Sequence, residues 1–334
     1  LPWRESRDPY RVLVSELMLQ QTVVASVIEP YRRWMERFPT IEALADAELD
    51  DVLHAWQGLG YYRRARLLHQ AAKEIALNGW PQDRKTMRAV PGIGPYTAGA
   101  VLSIAFDLPE PLVDGNVERV YARLMADPTP PPALSKRAWA WAENSVPNQR
   151  PGDWNQALME LGATVCRPRT PLCHLCPWQA ICRGTQGEVS LYPAPKVRPE
   201  MREMDLPLAV CEQAGPLAVC EQAGRYALIR YPEGGWWAGL YGFPPALASS
   251  GEELGRFPFV VTRHRLTVRV LQVDRLDGEV EWFAPEEFKA LALPALHRRA
   301  WDIVRARQTQ PTLSGRGRRS QPSLSPQRNS ARRN

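Results

Sequence analysis

Two carboxylates and a glycine turn are the residues of this 334-residue chain whose types and spacing could do chemistry on one substrate. Residues 91–98 read Pro-Gly-Ile-Gly-Pro-Tyr-Thr-Ala, and Asp114 follows eighteen residues after Tyr96. Gly92 and Gly94 can take backbone angles closed to other residues, so the turn can present amide hydrogens to a phosphate at the start of a helix near Tyr96. Ala98, Gly99 and Ala100 would let a second helix pack close. A purely structural turn has the same sequence. Glu16, within Val14-Ser15-Glu16-Leu17-Met18-Leu19-Gln20-Gln21-Thr22, either faces solvent, as most glutamates do, or is sequestered. Burial would raise its pKa and make it a proton donor near neutral pH. Cleaving the bond between a base and a deoxyribose needs two such groups. One protonates the leaving base, and the other stays ionised beside an oxocarbenium-like sugar. The base must first leave the stack, so residues that fill the gap are expected. Gln20, Gln21 and Tyr61, the last in Gly58-Leu59-Gly60-Tyr61-Tyr62, are the candidates, although glycine–tyrosine turns also occur in ordinary cores.

A second cluster is built from cysteine. Four of the six cysteines, Cys166, Cys173, Cys176 and Cys182, lie within 17 residues in the pattern C-x6-C-x2-C-x5-C. Four thiolates so spaced can close on one metal centre. On spacing alone the group could be iron–sulfur, structural zinc or, less consistently with a reducing compartment, two disulfides. Arg167 and Arg169 stand between the first two cysteines, so the pinned loop would be suited to meet phosphates.

These residues must be positioned by helices. Apolar positions recur at helical spacing over Tyr10 to Val27, Ile41 to Trp56, Ala65 to Ala76 and Thr97 to Phe106. Turns fall at Gly58-Leu59-Gly60, Asn78-Gly79 and Asp107 to Pro111. After a proline-rich break at Asp127 to Pro132 come further helical stretches, Trp139 to Ser145 and Trp154 to Thr164. The character changes beyond Cys182. Residues 184–204 read as an interdomain linker. Short alternating runs at Tyr226 to Tyr231, Phe257 to Val261 and Leu266 to Val273 then predict a sheet-containing domain over 205–300, with a closing helix around Pro285 to Leu291. Pro207 to Gly215 recurs unchanged as Pro216 to Gly224. So short and solitary a repeat is no solenoid; one copy is expected to supply a strand, and Cys211 and Cys220 have no evident role.

The formal charge is +6, which favours a polyanionic partner. Much of the excess sits at the end: Arg305 to Asn334 holds eight arginines and no acid. Residues 301–334 are therefore expected to be a basic disordered tail. No run of 18 or more apolar residues occurs, so no membrane association is expected. A cytoplasmic monomer, nucleoid-associated in a bacterium, is the expectation.

Leu1-Pro2-Trp3-Arg4, the Ser15–Thr22 stretch, Gly58–Tyr62, Pro91–Ala98, Asp114-Gly115-Asn116-Val117-Glu118-Arg119 and the four-cysteine run together resemble the MutY-type adenine DNA glycosylases. These belong to the helix-hairpin-helix superfamily with endonuclease III. The resemblance spans residues 1–183 and implies a mainly α, helix-hairpin-helix catalytic domain with an iron–sulfur loop at 166–182 holding a 4Fe-4S cluster. It implies that Glu16 protonates adenine at N7 and that Asp114 stabilises the sugar cation, with Tyr96 and Asn116 orienting that carboxylate. Arg4 and Leu19 match positions that contact the extruded adenine. Gln21 and Tyr61 match the wedge beside an opposing 8-oxoguanine, and Gln20, Thr22, Gly92 and Gly94 are further candidates for contact with the DNA. Glu160 is a further candidate; read without the family, its stretch is an amphipathic helix before the metal loop. Endonuclease III-like enzymes that nick DNA carry a lysine where this chain has Tyr96. A tyrosine cannot form a Schiff base, so base removal without strand cleavage is expected.

Residues 205–298 are similar, less closely, to the smaller α+β, MutT-like (Nudix-fold) domain that such glycosylases append. Gly234-Gly235-Trp236-Trp237-Ala238-Gly239-Leu240-Tyr241-Gly242-Phe243-Pro244 resembles its Trp-x-Gly-Leu-Trp-x-Phe-Pro segment. Glu252-Glu253-Leu254-Gly255 is only a fragment of a Nudix catalytic box, so lesion recognition is implied and pyrophosphate hydrolysis is not. The family's Phe-Ser-His reader corresponds here to Thr262-Arg263-His264, with His264 in the histidine's place or, in a register slid by one, Arg263; either implies altered lesion discrimination. The implied partner is double-stranded DNA with an A:8-oxoguanine or A:G mismatch. Rival readings are a related glycosylase for another mismatched base such as thymine, and a noncatalytic iron–sulfur DNA-binding protein.

Overall fold

The computed structural model describes residues 1–195, 200–213, 224–246, 251–276 and 278–308. A helical body comes first: α1 (Pro9–Leu19), α2 (Val24–Arg37), α3 (Ile41–Ala45), α4 (Leu49–Ala55), α5 (Arg63–Asn78), α6 (Arg84–Met87), α7 (Pro95–Phe106), α8 (Gly115–Leu124), α9 (Ala133–Ser145) and α10 (Pro151–Glu160). The helical run expected from Tyr10 to Val27 is broken at Gln20–Val23, where Gln21 takes a φ of 54°. The run expected from Ile41 to Trp56 also divides, because Asp50 and Asp51 sit in the first turn of a new helix, where acids are favoured by the helix dipole.

The centre of this body is α7, buried along Thr97–Ile104 and packed against α1 and α10. Small residues permit the approach, though not as expected. At Gly99 the neighbour is extended chain rather than a helix, since a Cβ there would lie 2.1 Å from the Pro111 carbonyl oxygen. The close helix–helix contact is at Gly152 of α10, whose Cβ would meet the Ser103 carbonyl oxygen at 2.5 Å. The extended segment thus held against α7 leads directly into Asp114. Trp34 anchors the other side, edge-on to Trp56 and Phe38, and donates its indole N–H to the Tyr10 hydroxyl at 3.0 Å. The burial of such large rings with their polar tips satisfied is what fixes α1 and α2 around the site.

After α10 the chain widens into a π turn at Leu161–Val165, closed by Cys166 N–H donating to the Leu161 carbonyl at 2.7 Å. The cysteine loop follows. The linker expected from residue 184 begins later, because Gly184 packs against the Arg123 backbone and Arg123 donates to the Tyr192 carbonyl at 2.9 Å.

The second domain holds β1 (Arg202–Val210), β2 (Glu212–Gln213), β3 (Arg225–Arg230), β4 (Tyr241–Gly242), β5 (Glu252–Val261), β6 (His264–Gln272) and β7 (Glu281–Phe283). One sheet has the order β1-β6-β5, with β1 parallel to β6 and β5 antiparallel to it; in the other, β3 pairs with β2, β4 and β7. β1 starts inside the expected linker and ends in the first copy of the duplicated segment, so Pro207–Val210 supplies strand and Cys211 is buried. Most of the second copy, Cys220 included, lies outside the described residues. The helix expected around Pro285 to Leu291 is only a short turn at Glu287–Lys289. The helix that closes the domain is α11 (Ala295–Gln308). The expected tail from residue 301 is corrected accordingly, since Trp301 and Val304 are buried in the second core; residues 309–334 lie outside the described residues.

The two domains touch along α4 and α5. His54 Nε2 lies 2.9 Å from the Lys289 carbonyl oxygen, and Gln57 donates to the Leu293 carbonyl at 3.2 Å. Arg66 donates to the Ala238 carbonyl at 2.5 Å, Arg230 pairs with Asp50, and Leu240 is buried with the helical core. Among the described residues no helix is long and apolar enough to cross a membrane.

Candidate active site

Asp114 is the N-cap of α8. Its Oδ1 accepts from the backbone N–H groups of Asn116 (2.9 Å) and Val117 (2.7 Å), and its Oδ2 accepts from Asn116 Nδ2 at 2.8 Å. An aspartate before Gly-Asn and a helical run is the residue such a cap prefers, and the helix N-terminus favours its negative charge. Both oxygens are thereby fixed in direction while the residue stays partly exposed.

Glu16 lies on the buried face of α1 and is 6% exposed. Its Oε2 accepts the hydroxyl hydrogen of Tyr96, which also contacts Met159 Sδ at 3.2 Å. Burial pushes the Glu16 carboxyl above its ordinary range; the Tyr96 hydroxyl and Arg4 pull it down, and nearby Asp114 pushes it up. Burial, followed by the charge of Glu16, holds the Tyr96 phenol well above its usual pKa. The two carboxyls therefore differ in environment, one dry and protonation-prone, the other capped and polar.

Both open on a cavity of about 1020 Å³. Arg4, Leu19, Gln20, Gln21, Thr22, Tyr96 and Asn116 also line it, so nine of the expected residues converge. Glu160 joins them, as do Trp3 and Met159, which sequence reasoning passed over. Met159 had no distinguishing signal in sequence, since its place depends on where α10 crosses Tyr96. Among the described residues no lysine lines the cavity.

The remaining expected residues lie around this centre and not in it. Gly92 has a φ of 77° and packs on Leu67, whereas Gly94 is an extended N-cap with a φ of −83°. Only Gly92 needs glycine's conformational freedom. Gly94 leaves open space where a Cβ would stand, beside the leading amides of α7 that have no intrahelical acceptor. Tyr61 is 49% exposed with a φ of 47°. Thr262 and Arg263 are the exposed two-residue tip of the β5–β6 hairpin, with Thr262 at φ 52°; His264 begins β6. The His264 ring packs at a tilt of 57° against exposed Trp236, 4.9 Å between centroids, and its buried Nδ1 has no hydrogen-bond partner. Glu253, in the Nudix-box fragment, accepts from Arg256 and Arg269.

Cys166, Cys173, Cys176 and Cys182 are free thiols bordering one small cavity. Burial pushes the Cys176 thiol up, against a backbone hydrogen bond at Trp178, and the other three sulfurs add to the rise. Among the described residues no three such donors converge on a point for a single ion. The loop is sewn to α8. Arg119 donates to the Cys166 carbonyl (2.8 Å), the Gly162 carbonyl (2.7 Å) and Asn116 Oδ1 (2.8 Å), and Arg123 donates to the Arg167 and Pro168 carbonyls at 2.6 and 2.7 Å. Arg167 and Arg169 are exposed on this loop.

Comparison with known proteins identifies both domains. The model of the HhH-GPD superfamily of base excision DNA repair proteins matches residues 14–143, and that of the NUDIX domain matches residues 217–302. The chain is 46% identical over 231 residues to the adenine DNA glycosylase of Mus musculus, covering 64% of this chain and 44% of that protein. It is 46% identical over 200 residues to that of Homo sapiens (56% and 37% covered) and 39% identical over 284 residues to that of Arabidopsis thaliana (74% and 45%). The chain thus spans less than half the length of these curated relatives. Among solved structures, a thermostable thymine-DNA glycosylase matches with a TM-score of 0.50 at 28% identity, covering 56% of this chain and 88% of that one.

Proposed function

This chain belongs to the HhH-GPD superfamily of base excision DNA repair proteins, in its MutY-type branch, and from that membership we propose that it is a monofunctional adenine DNA glycosylase acting on adenine opposite 8-oxoguanine or guanine. The observation that carries the reading is the pairing of a buried Glu16, its pKa raised by burial, with a capped, polar Asp114 on one cavity. A protein that only bound DNA would have no need of the pair.

In the proposed reaction the adenine leaves the stack and enters the cavity, and Gln21 and Tyr61 occupy the space it vacates. Tyr96 directs its hydroxyl hydrogen to Oε2 of Glu16, which leaves Oε1 to carry the proton to the base. As the glycosidic bond lengthens, positive charge develops on the sugar and Asp114 stabilises it, held by Asn116 and the first amides of α8. Water completes the hydrolysis, the free base leaves, and the proton taken from water returns to the site. With Tyr96 in the cavity and no lysine lining it among the described residues, no imine to the sugar forms, so the product is an abasic site in an uncut strand.

Cys166, Cys173, Cys176 and Cys182 would hold a 4Fe-4S cluster. The donor set fits such a cluster, which cysteine thiolates would hold, since the four thiols border one small cavity. When bound, it supplies four iron–thiolate bonds that pin the loop carrying Arg167 and Arg169. Those arginines, with Gly92, Gly94 and the amides of α7, would meet phosphates. Thr262, Arg263 and His264 would face the lesion opposite the adenine.

The likeness to a thymine-DNA glycosylase supports a second reading in which the same site takes thymine. Chromatography of the released base from mismatched duplexes, with borohydride trapping in parallel, tests the proposal. Free adenine with no covalent DNA adduct is expected; efficient trapping would overturn the monofunctional assignment.

A further inference from the structure

The wedge residues Gln21 and Tyr61 come from segments forty residues apart, yet the proposed reaction needs them to enter the duplex as one body. Both hold left-handed backbone, φ 54° and 47°, a conformation that costs a non-glycine residue on the order of 1 kcal/mol or more and persists only when its surroundings impose it.

One side chain reaches both segments. Arg64, in the first turn of α5, is 8% exposed. Its Nη1 donates to the carbonyls of Leu17 (2.8 Å), Met18 (3.0 Å) and Gln20 (2.5 Å), at the end of α1 and just before Gln21. Its Nη2 donates to the carbonyls of Leu59 (3.1 Å) and Gly60 (3.3 Å), just before Tyr61, and to the Thr22 hydroxyl at 3.2 Å. The guanidinium also lies over the rings of Trp56 and Tyr61, at 5.4 and 5.3 Å. These partners are backbone dipoles, one hydroxyl and aromatic faces, with no carboxylate among them. Burial lowers the Arg64 pKa to about 10, and the group stays charged at neutral pH. A buried cation held this way is costly, and the fork geometry of its donors decides what it can span.

We infer that Arg64 is a positioning residue that locks Gln21 and Tyr61 into a single wedge, acting on the extrusion of the base and not on the breaking of its bond. The inference rests on the proposed base-excising function. It explains why the chain leaves helical geometry after Leu19: the guanidinium takes the last carbonyls of α1 sideways.

The test compares two substrates under single-turnover conditions, a paired A:8-oxoguanine duplex and a duplex with the adenine in a one-nucleotide bulge. Arg64→Lys keeps the charge, but donates from one atom and cannot span both edges. The lysine variant is expected to lose about tenfold or more on the paired substrate and to remain near wild type on the bulge, as befits a defect in a conformational step. Should it fail to fold, Thr22→Val, which removes one acceptor from the clamp, is expected to shift the ratio of the two rates the same way by a smaller factor. Parallel slowing on both substrates, or an unchanged paired rate in Arg64→Lys, would overturn the inference. A wild-type protein inert on both substrates would sink the functional reading itself, and the inference with it.

Discussion

Replacing Glu16 with glutamine removes one proton from the site and leaves its shape alone. The side chain is 6% exposed and accepts the Tyr96 hydroxyl hydrogen through one oxygen. A glutamine can accept that same bond through its amide oxygen and fills the same volume. It cannot hand a proton to a leaving base. The loss is therefore the general-acid contribution, about 10²–10⁴-fold in the single-turnover rate, or about 3–5 kcal/mol on the barrier, with duplex binding retained. The pH dependence follows from burial, which raises the Glu16 pKa above its ordinary value. The active, protonated form persists above the usual carboxylate range, and the wild-type rate falls as pH rises through the folded-state value; the variant has no such limb. The same shift has a stability consequence. Because the folded protein holds this proton more tightly than the unfolded chain, its contribution is complete below the ordinary carboxylate pKa and is lost as pH rises through the raised value. Glu16→Gln is thus expected to be more stable than wild type above that window and to gain nothing comparable below it. Rates of adenine release and thermal midpoints across about pH 4–9 measure both effects. A variant within tenfold of wild-type activity, with the same alkaline decline, would refute Glu16 as the acid.

Three further outcomes are expected. Gly162→Ala would set a Cβ 2.6 Å from that of Asn116, so stability should fall by about 1–3 kcal/mol, and base release should slow as the partner of Asp114 is displaced; unchanged kinetics would show that Asn116 does not orient the carboxylate. Cys176→Ser should weaken duplex binding more than it slows release from saturated enzyme, measured by titration and single turnover on the same preparation; normal affinity in cluster-free protein would contradict the loop's role in gripping DNA. His264→Ala should lower the preference for 8-oxoguanine over guanine opposite the adenine, and an unchanged preference would exclude the β5–β6 tip as the reader.

The local settings of the candidate residues were legible because their signals are local. Asp114 before Gly-Asn is a helix cap, the cysteine spacing is a ligand pattern, and Pro-Gly-Ile-Gly-Pro announces a helix start. Glu16 was not decided locally. Its helix position allowed either a wet or a dry face, and only the packing of α7 against α1 put Tyr96 over it. The break after Leu19 was invisible because it depends on Arg64, a residue distant in sequence. β1 was hidden by prolines and by a repeated segment that resembles a linker. The arginines of α11 suggested a disordered tail, although Leu296, Ala300, Trp301 and Val304 carry the helical period that seats it on the second core. Gly94 was assigned a special backbone angle that only Gly92 adopts, since sequence does not separate a glycine kept for its conformation from one with open space beside it.

The central claim is that one cavity removes adenine by shared work of Glu16 and Asp114 and leaves the strand whole. Single-turnover base release from A:8-oxoguanine, A:G, A:C and T:G duplexes, with strand integrity read on a denaturing gel, tests it most directly. Adenine release, fastest opposite 8-oxoguanine, is expected, with abasic strands that break only on later alkaline treatment. Thymine release from T:G with the adenine substrates untouched, or strand cleavage concurrent with base release, would contradict it.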